Sequence, residues 1–396
     1  VQGAWLLGER CMYVTQTNEQ AFDVARRLAG GFPARPFTLF VRQDLAVPDD
    51  LLLLAQRNLQ IARAAAQLPH GPGVVIANAA KWSWLDASGT PFDCQIVDEA
   101  FQLPDYRFQQ IAGLARHVVL IGDPGQIDPI VNCEVERWRS DPAGPHVACP
   151  QALLARHPGV LRLALPVSRR LPHDTVRFVQ PAFYPRLPFQ ALSAPGQRGI
   201  RTRLPGGQPL DGAIDLVEQG ASLVQLQLPA QISGEVDEEL AQVIVGLIDR
   251  LLQRGTTILD DGRAAALEPG MVGVVCGHIS QVNAVRERLP ARLAQVFVET
   301  SNRYQGLERP ITLVHHPLSG RAEASEFHLD AGRLCVMLSR HRVACFVVAR
   351  AGIEDILLRH APSGERVLGI DTDAEYEGWK AHLLLQQALR SHQRVL

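Results

Sequence analysis

Short, continuously apolar runs alternate with longer stretches of helical period in the first part of this chain. The runs are Cys11–Thr15, Phe37–Val41, Val74–Ala77, Cys94–Val97 and Val118–Ile121; the helical stretches include Glu19–Leu28 and Asp50–Gln67. A strand that is apolar at successive positions is buried on both faces. Such strands separated by helices predict a parallel sheet covered on both sides. Pro185–Asp211 is dense in Pro, Gly and Arg and reads as a loop or irregular insertion, a plain loop rather than a partner surface. A second series follows, with strands predicted at Ser222–Leu226, Val272–Cys276, Val296–Val298, Ile311–Val314 and Cys345–Ala349. Helices are predicted at Val236–Leu252, Ile279–Leu289 and Gly332–Arg340. The boundary is placed near Ala164, giving domains 1–164 and 165–396, with no internal repeat at short period and no low-complexity tract.

The length of 396 residues suits two α/β domains, and 46% hydrophobic with 20% charged residues is ordinary for a soluble chain. No apolar run approaches the ~20 residues of a membrane span, so no membrane association is expected. With 39 basic and 41 acidic residues the net charge is −2. That excludes a protein wrapped in nucleic acid on all sides but leaves room for one basic groove. None of the seven cysteines forms a C-x-x-C pair, which argues against structural zinc. Cys94, Cys276 and Cys345 lie in or beside apolar runs and read as buried thiols of a cytoplasmic, reducing environment. Residue 1 is Val, so the natural start is expected upstream.

Two strings carry candidate chemistry. In Cys94-Gln-Ile-Val-Asp-Glu-Ala-Phe-Gln102 an apolar strand ends in adjacent carboxylates. In a phosphate-loop ATPase the first, Asp98, holds Mg²⁺ through water and the second, Glu99, polarises the attacking water. The bland alternative is an acidic surface turn. About one helix later, Val118-Val-Leu-Ile-Gly-Asp-Pro-Gly-Gln126 is another predicted buried strand ending in a Gly-Asp turn. Gly122 and Gly125 permit a tight turn, and Gln126 is placed to sense a γ-phosphate.

DEAFQ followed by GDPGQIDP resembles the superfamily 1 helicases, in particular the group that includes the nonsense-mediated-decay helicase. The resemblance extends along nearly the whole chain, in one order. Thr15-Gln-Thr-Asn18 before a helix resembles the first strand-binding box, with Thr17 and Asn18 as backbone contacts, although Thr17 also reads as a helix N-cap. Ala77-Asn-Ala-Ala80 stands where the family has a Thr-rich turn, without the Thr. Leu165-Pro-Val-Ser-Arg-Arg-Leu-Pro172 resembles a Q-Y-R-x-x-P box. Arg169 falls on the γ-phosphate arginine there, and Arg170 is the runner-up. Gln281 matches a Gln that starts a helix on the nucleic-acid side. Thr300-Ser-Asn-Arg-Tyr-Gln-Gly-Leu-Glu308 resembles the Q-G-x-E box. It implies that Gln305 and Gly306 bridge strand and nucleotide and that Glu308 lies near the Mg-nucleotide. Leu334-Cys-Val-Met-Leu-Ser-Arg-His-Arg342 resembles N-V-A-L-S-R-A-R, placing Arg340 on the arginine finger. Such a finger is worth about 10³–10⁵ in rate.

The resemblance implies tandem RecA-like parallel-sheet domains, the first incomplete at its N-terminus. It also implies ATP and Mg²⁺ as cofactors and single-stranded DNA or RNA as partner, held mainly through its backbone. The activity implied is ATP-driven helicase or translocase movement of 5′→3′ polarity; no protein partner is implied. The family's phosphate loop, G-x-x-x-x-G-K-[ST], is missing: Gly3–Gly8 has no Lys or Ser/Thr after its second Gly. Either the loop lies upstream of Val1 and the chain as given hydrolyses negligibly, or the protein is a non-hydrolysing strand-binding or scaffolding module. A phosphate-loop enzyme of another class, such as a kinase, explains the Asp-Glu pair but not two successive units with an arginine in the second.

Overall fold

The computed structural model describes residues 8–86, 89, 91–131, 134–138, 141–361 and 374–396. Cys133 and the first seven residues, Gly3 among them, lie outside the described residues. The backbone divides into two compact units. One holds the described residues up to Pro124 together with Asp128–Leu161, the other Gly125–Ile127 together with Arg162–Leu396.

The first unit is built on six parallel strands, β1 (Arg10–Thr15), β2 (Phe37–Phe40), β3 (Leu59–Ala62), β4 (Gly73–Asn78), β5 (Phe92–Val97) and β6 (Ala115–Leu120). Their order is β3-β2-β4-β1-β5-β6. Successive residues of β1 feed different cores. Cys11 joins Ala21, Phe22, Leu39 and Ile76 on one face, and Met12 joins Val75, Trp82, Phe92 and Phe108 on the other. That two-sided burial is what the continuous apolar runs demand.

Two expectations change in this unit. Asp50–Gln67 is not one helical stretch. The helix stops at Ala55, and Leu59–Ala62 becomes a strand paired with β2. Asn58 enforces the break: its amide donates to the carbonyls of Ala29, Phe32 and Arg35, pinning the chain to the end of the preceding helix. Second, β6 is not buried. Among the described residues it pairs only with β5, and Val118, Val119 and Ile121 are 39%, 47% and 46% exposed.

The second unit contains β7 (Arg198–Arg201), β8 (Leu223–Leu228), β9 (Thr257–Asp260), β10 (Arg263–Ala266), β11 (Val272–Cys276), β12 (Phe297–Thr300), β13 (Arg309–His315), β14 (His341–Arg350) and β15 (Gln393–Val395). Six of these form a second parallel sheet in the order β12-β11-β13-β14-β8-β15. The helices Glu238–Gln253, Ile279–Arg288 and Ala331–Leu338 form where the periodicity predicts them. Leu240, Ile244 and Ile248 pack with Val272, Val274 and Phe346 on one face; Leu334 and Met337 pack with Val275, Val314 and Val347 on the other. Two six-stranded parallel sheets, each within its own unit, fit tandem RecA-like folds.

Pro185–Asp211 is more than a loop. Gln190–Ala191 pairs in parallel with Val167–Ser168, and β7 joins β9 and β10 in an antiparallel sheet. Of the three cysteines expected to be buried, Cys276 and Cys345 are, while Cys94 is only partly so.

Candidate functional site

In an open parallel sheet, ligands sit beyond the carboxyl ends of the strands. In the first unit the ends of β1, β4, β5 and β6 carry the polar residues. After β1, Thr17 caps the helix Asn18–Gly31. Its hydroxyl accepts from Gln20 N at 3.2 Å, and the Gln20 side chain accepts from Gln16 N at 2.9 Å and Thr17 N at 3.1 Å. This is a full capping box, so the Thr17 side chain is committed to the helix. Asn18 accepts from the Asn78 amide at 2.6 Å, and Asn78, at the end of β4, accepts from Lys81 N at 2.7 Å.

Asp98 follows β5. Tyr13 Oη donates to its Oδ2 at 2.9 Å, Glu99 N to its Oδ1 at 3.0 Å, and Gln16 Nε2 to its carbonyl at 3.0 Å. Burial, and then the Asp98 charge, holds the Tyr13 hydroxyl above its ordinary pKa, so it stays a donor. Glu99 has φ 50 and ψ 43, left-handed and rare for a residue with a side chain. The turn is stitched to the end of β6 by Ala100 N donating to Ile121 O at 2.8 Å. Gly122 is required there: a Cβ would stand 2.9 Å from Ala100 N. Tyr13 and Gln16, which orient Asp98, were not picked out from the sequence. The available signal was a tyrosine within an otherwise apolar strand and a glutamine immediately after it.

An aspartate oriented by a neutral hydroxyl and an amide at a strand end suits a water-bridged Mg²⁺. Among the described residues no group of three or more His, Cys, Asp or Glu side chains is arranged to ligate a metal by itself. The phosphate side is thinner. The chain has two lysines, Lys81 and Lys380. Lys81 lies over the Phe40 ring at 4.1 Å and donates to Arg63 O.

Gln126 belongs to the second unit, not to that of Asp98 and Glu99. Its backbone lies where Gly332 must lack a side chain, since a Cβ there would come within 2.5 Å of Gln126 O. Gly125 faces Tyr184, 2.4 Å from where a Cβ would be.

The second unit gathers the arginine boxes around one residue the sequence did not single out. The Arg198 side chain is 1% exposed. It donates to the carbonyls of Arg169 (2.9 Å), Arg170 and Arg342 (3.4 Å), and it pairs with Asp260 and Asp261. Arg169 is exposed. Arg170 pairs with Glu308 at 3.0 Å, and Arg342 pairs with Asp260 at 2.7 Å and reaches Glu308 at 3.6 Å. Gly306 is exposed with φ 76, and Gln305 Nε2 is buried without a hydrogen-bond partner among the described residues. Tyr304 of the same box presses on β11, where Gly273 makes room: a Cβ would meet its hydroxyl at 1.7 Å.

Two further expected site residues have buried side chains. Gln281 is fully buried, accepting from Asp237 N at 2.8 Å and donating to Asp237 O at 3.1 Å, so its amide braces backbone. Arg340 is 1% exposed. Its Nε donates to Val336 O at 3.2 Å and its Nη2 to Ser339 Oγ at 2.8 Å, which closes the end of its own helix. The neighbouring His341 is fully buried against Thr175 at 2.9 Å, with burial lowering its pKa to about 3.

Comparison with known proteins adds the following. A family model described as an AAA domain matches residues 230–352, which lie in the second unit. No curated protein matches. The PRRSV helicase structure is 14% identical with a TM-score of 0.44, covering 87% of this chain and 49% of that one. The Arterivirus nonstructural protein 10 (helicase), solved in complex with DNA, is 10% identical with a TM-score of 0.43, covering 86% and 54%. A second structure of the Arterivirus protein is 12% identical with a TM-score of 0.43, covering 86% and 53%. The chain thus spans about half the length of these solved structures.

Proposed function

We propose, from the premise that the chain is superfamily 1 helicase-like, that it is the motor core of an ATP-dependent helicase or translocase acting on single-stranded DNA or RNA, with 5′→3′ polarity. The observation that carries this reading is the turn after β5. There Asp98 is oriented by Tyr13 and Glu99 is held in a left-handed conformation at the sheet's carboxyl edge. Strain of that kind collects where chemistry needs a particular side-chain direction. In this reading Asp98 holds Mg²⁺, Glu99 takes the proton of the attacking water, and Gln126 responds to the γ-phosphate. Arg169, with Arg170 and Glu308, belongs to the phosphate end of the nucleotide, and Gln305 and Gly306 couple it to the strand. Thr17 and Asn18 offer the first turn of their helix to a strand phosphate.

The test is strand-stimulated ATP hydrolysis by a longer chain that carries an upstream phosphate loop. Glu99→Gln should lower turnover by at least about a hundredfold while ATP still binds. Turnover that survives the substitution removes Glu99 as the base. A second reading, a strand-binding module that does not hydrolyse ATP, draws on the buried Arg340, bonded to Val336 O and Ser339 Oγ, and the contacts of Lys81 with Phe40 and Arg63. It predicts strand affinity indifferent to ATP, whereas the motor reading predicts affinity that changes with nucleotide state.

A further inference from the structure

The hairpin β9–β10 lies outside every helicase box, and yet two of the boxes are fastened to it. Asp261-Gly262 forms its two-residue loop, with φ 49 and 83, and Asp260 pairs with Arg263 across it. Positive φ at both loop residues matches the twist of the flanking strands, and Asp-Gly is a favoured pair for such a loop. The turn sets two adjacent carboxylates at the tip of the hairpin. Across the antiparallel sheet, Asp260 stands opposite Arg198, the first residue of β7.

Arg198 reaches from that tip to the boxes. Its Nε donates to Asp261 Oδ1 at 2.9 Å and lies 2.9 Å from Asp260 Oδ1, and its Nη2 donates to Asp261 Oδ2 at 2.5 Å. The rest of the fork holds backbone: Nη2 donates to Arg169 O, and Nη1 to Arg170 O and Arg342 O. Successive residues of an extended strand alternate in direction. One guanidinium meets the carbonyls of both Arg169 and Arg170 because the chain bends there. From this bend Arg169 is exposed and Arg170 pairs with Glu308 at 3.0 Å. Asp260 holds the second box by its side chain: Arg342 Nε and Nη2 donate to its two oxygens at 2.7 and 3.1 Å, and Arg342 Nη1 lies 3.6 Å from Glu308. Arg198 itself is closed to a ligand, since its side chain is 1% exposed and Nε, Nη1 and Nη2 all have acceptors. A lysine, with three donors at one point, does not reproduce a planar fork.

We infer that Arg198 is a positioning residue of the motor: braced on the Asp260–Asp261 tip, it fixes the backbone from which Arg169 and Arg170 project and holds the Arg342 box beside them. The inference rests on the reading of Arg169, Arg170 and Glu308 as the phosphate end of the nucleotide site. It gives the segment Pro185–Asp211 and the hairpin β9–β10 a part in turnover, although none of their side chains touches the nucleotide in this assignment. A charge placed to meet a transition state is effective only when its direction is set beforehand.

The experiment compares Arg198→Lys and Asp261→Asn with Arg254→Lys. Arg254 is a buried arginine of the same unit whose side chain bonds to Asp215, Thr202 and Leu204 O, outside both boxes. Strand-stimulated ATP hydrolysis is measured in the longer chain that carries a phosphate loop. Amide hydrogen exchange of the Leu165–Pro172 box and the urea midpoint are measured in the chain as given. Arg198→Lys should lower kcat by about ten- to a hundredfold with KM for ATP within about twofold, and should speed exchange across the box. Asp261→Asn alters a side chain 41% exposed and keeps a residue that tolerates left-handed φ, so it folds and moves both readouts the same way by less. Arg254→Lys should lower the urea midpoint and move neither kcat nor exchange. Should Arg198→Lys fail to fold, Asp261→Asn decides. Exchange unchanged in both variants overturns the bracing. A kcat that falls as far with Arg254→Lys as with Arg198→Lys reduces Arg198 to an ion pair of the fold. Altered exchange with full turnover removes the positioning role and spares the motor reading, whereas no hydrolysis by the wild-type longer chain removes both.

Discussion

The residue with the strongest claim to chemistry is the one whose backbone is least comfortable. Left-handed φ costs a non-glycine residue about 1–2 kcal/mol, and Glu99 bears it between two ladder bonds, Asp98 N to Val14 O and Ala100 N to Ile121 O. Asparagine tolerates this region better. Glu99→Asn should therefore stabilise the chain by about 0.5–1 kcal/mol, read as a higher urea midpoint. A lower midpoint would mean that the Glu99 side chain serves the fold. The opposite lesson comes from Arg340 and Gln281. Both fall in strings that resemble family boxes, and both side chains are buried with hydrogen bonds to nearby backbone or to their own helix. A string of residues specifies which groups are present but not where a long side chain turns.

At the scale of elements, the strands were legible wherever they are buried on both faces, because unbroken apolar runs have no other stable use. Leu59–Ala62 was not, since four residues of mixed pattern beside a helix carry too little period to decide. The strand β6 has the pattern of a central strand and the exposure of an edge. An edge with Val118 and Val119 open on opposite faces invites pairing with another chain. Val119→Lys should suppress self-association of the chain as given while leaving its unfolding midpoint within about 0.5 kcal/mol of wild type. Sedimentation velocity over a concentration series checks this. Unchanged association would show that the β6 edge is not the contact.

Across the molecule, the second unit keeps four of its histidines out of reach of water. His315, His316, His341 and His382 are fully buried, and burial lowers each: to about 4 for His315 and His382, about 3 for His341, and well below the ordinary value for His316. Between these values and the ordinary 6.5 the unfolded chain binds protons that the folded chain refuses. Stability is therefore full above about 6.5 and falls as the pH drops from there toward 4. Each such histidine contributes about 1.4 kcal/mol per pH unit in that window. Urea midpoints of the second unit should decline steeply between pH 6.5 and 4. A flat profile would mean that these rings protonate in place.

By itself the sequence determined the class of fold, two parallel α/β sheets, and the order of the chemical groups along it. Apolar periodicity and the residues that end each strand are properties of the chain. Only the tertiary structure decided which of those groups stand free to act. It buried Arg340, bonded Gln281 to Asp237, and set Arg198 under both arginine boxes from a segment that looked like a loop. It also brought His278 against Phe327 and His328 from separate stretches. Those outcomes depend on which strand ends become neighbours and on where buried polar atoms find partners, and sequence order does not encode either one locally.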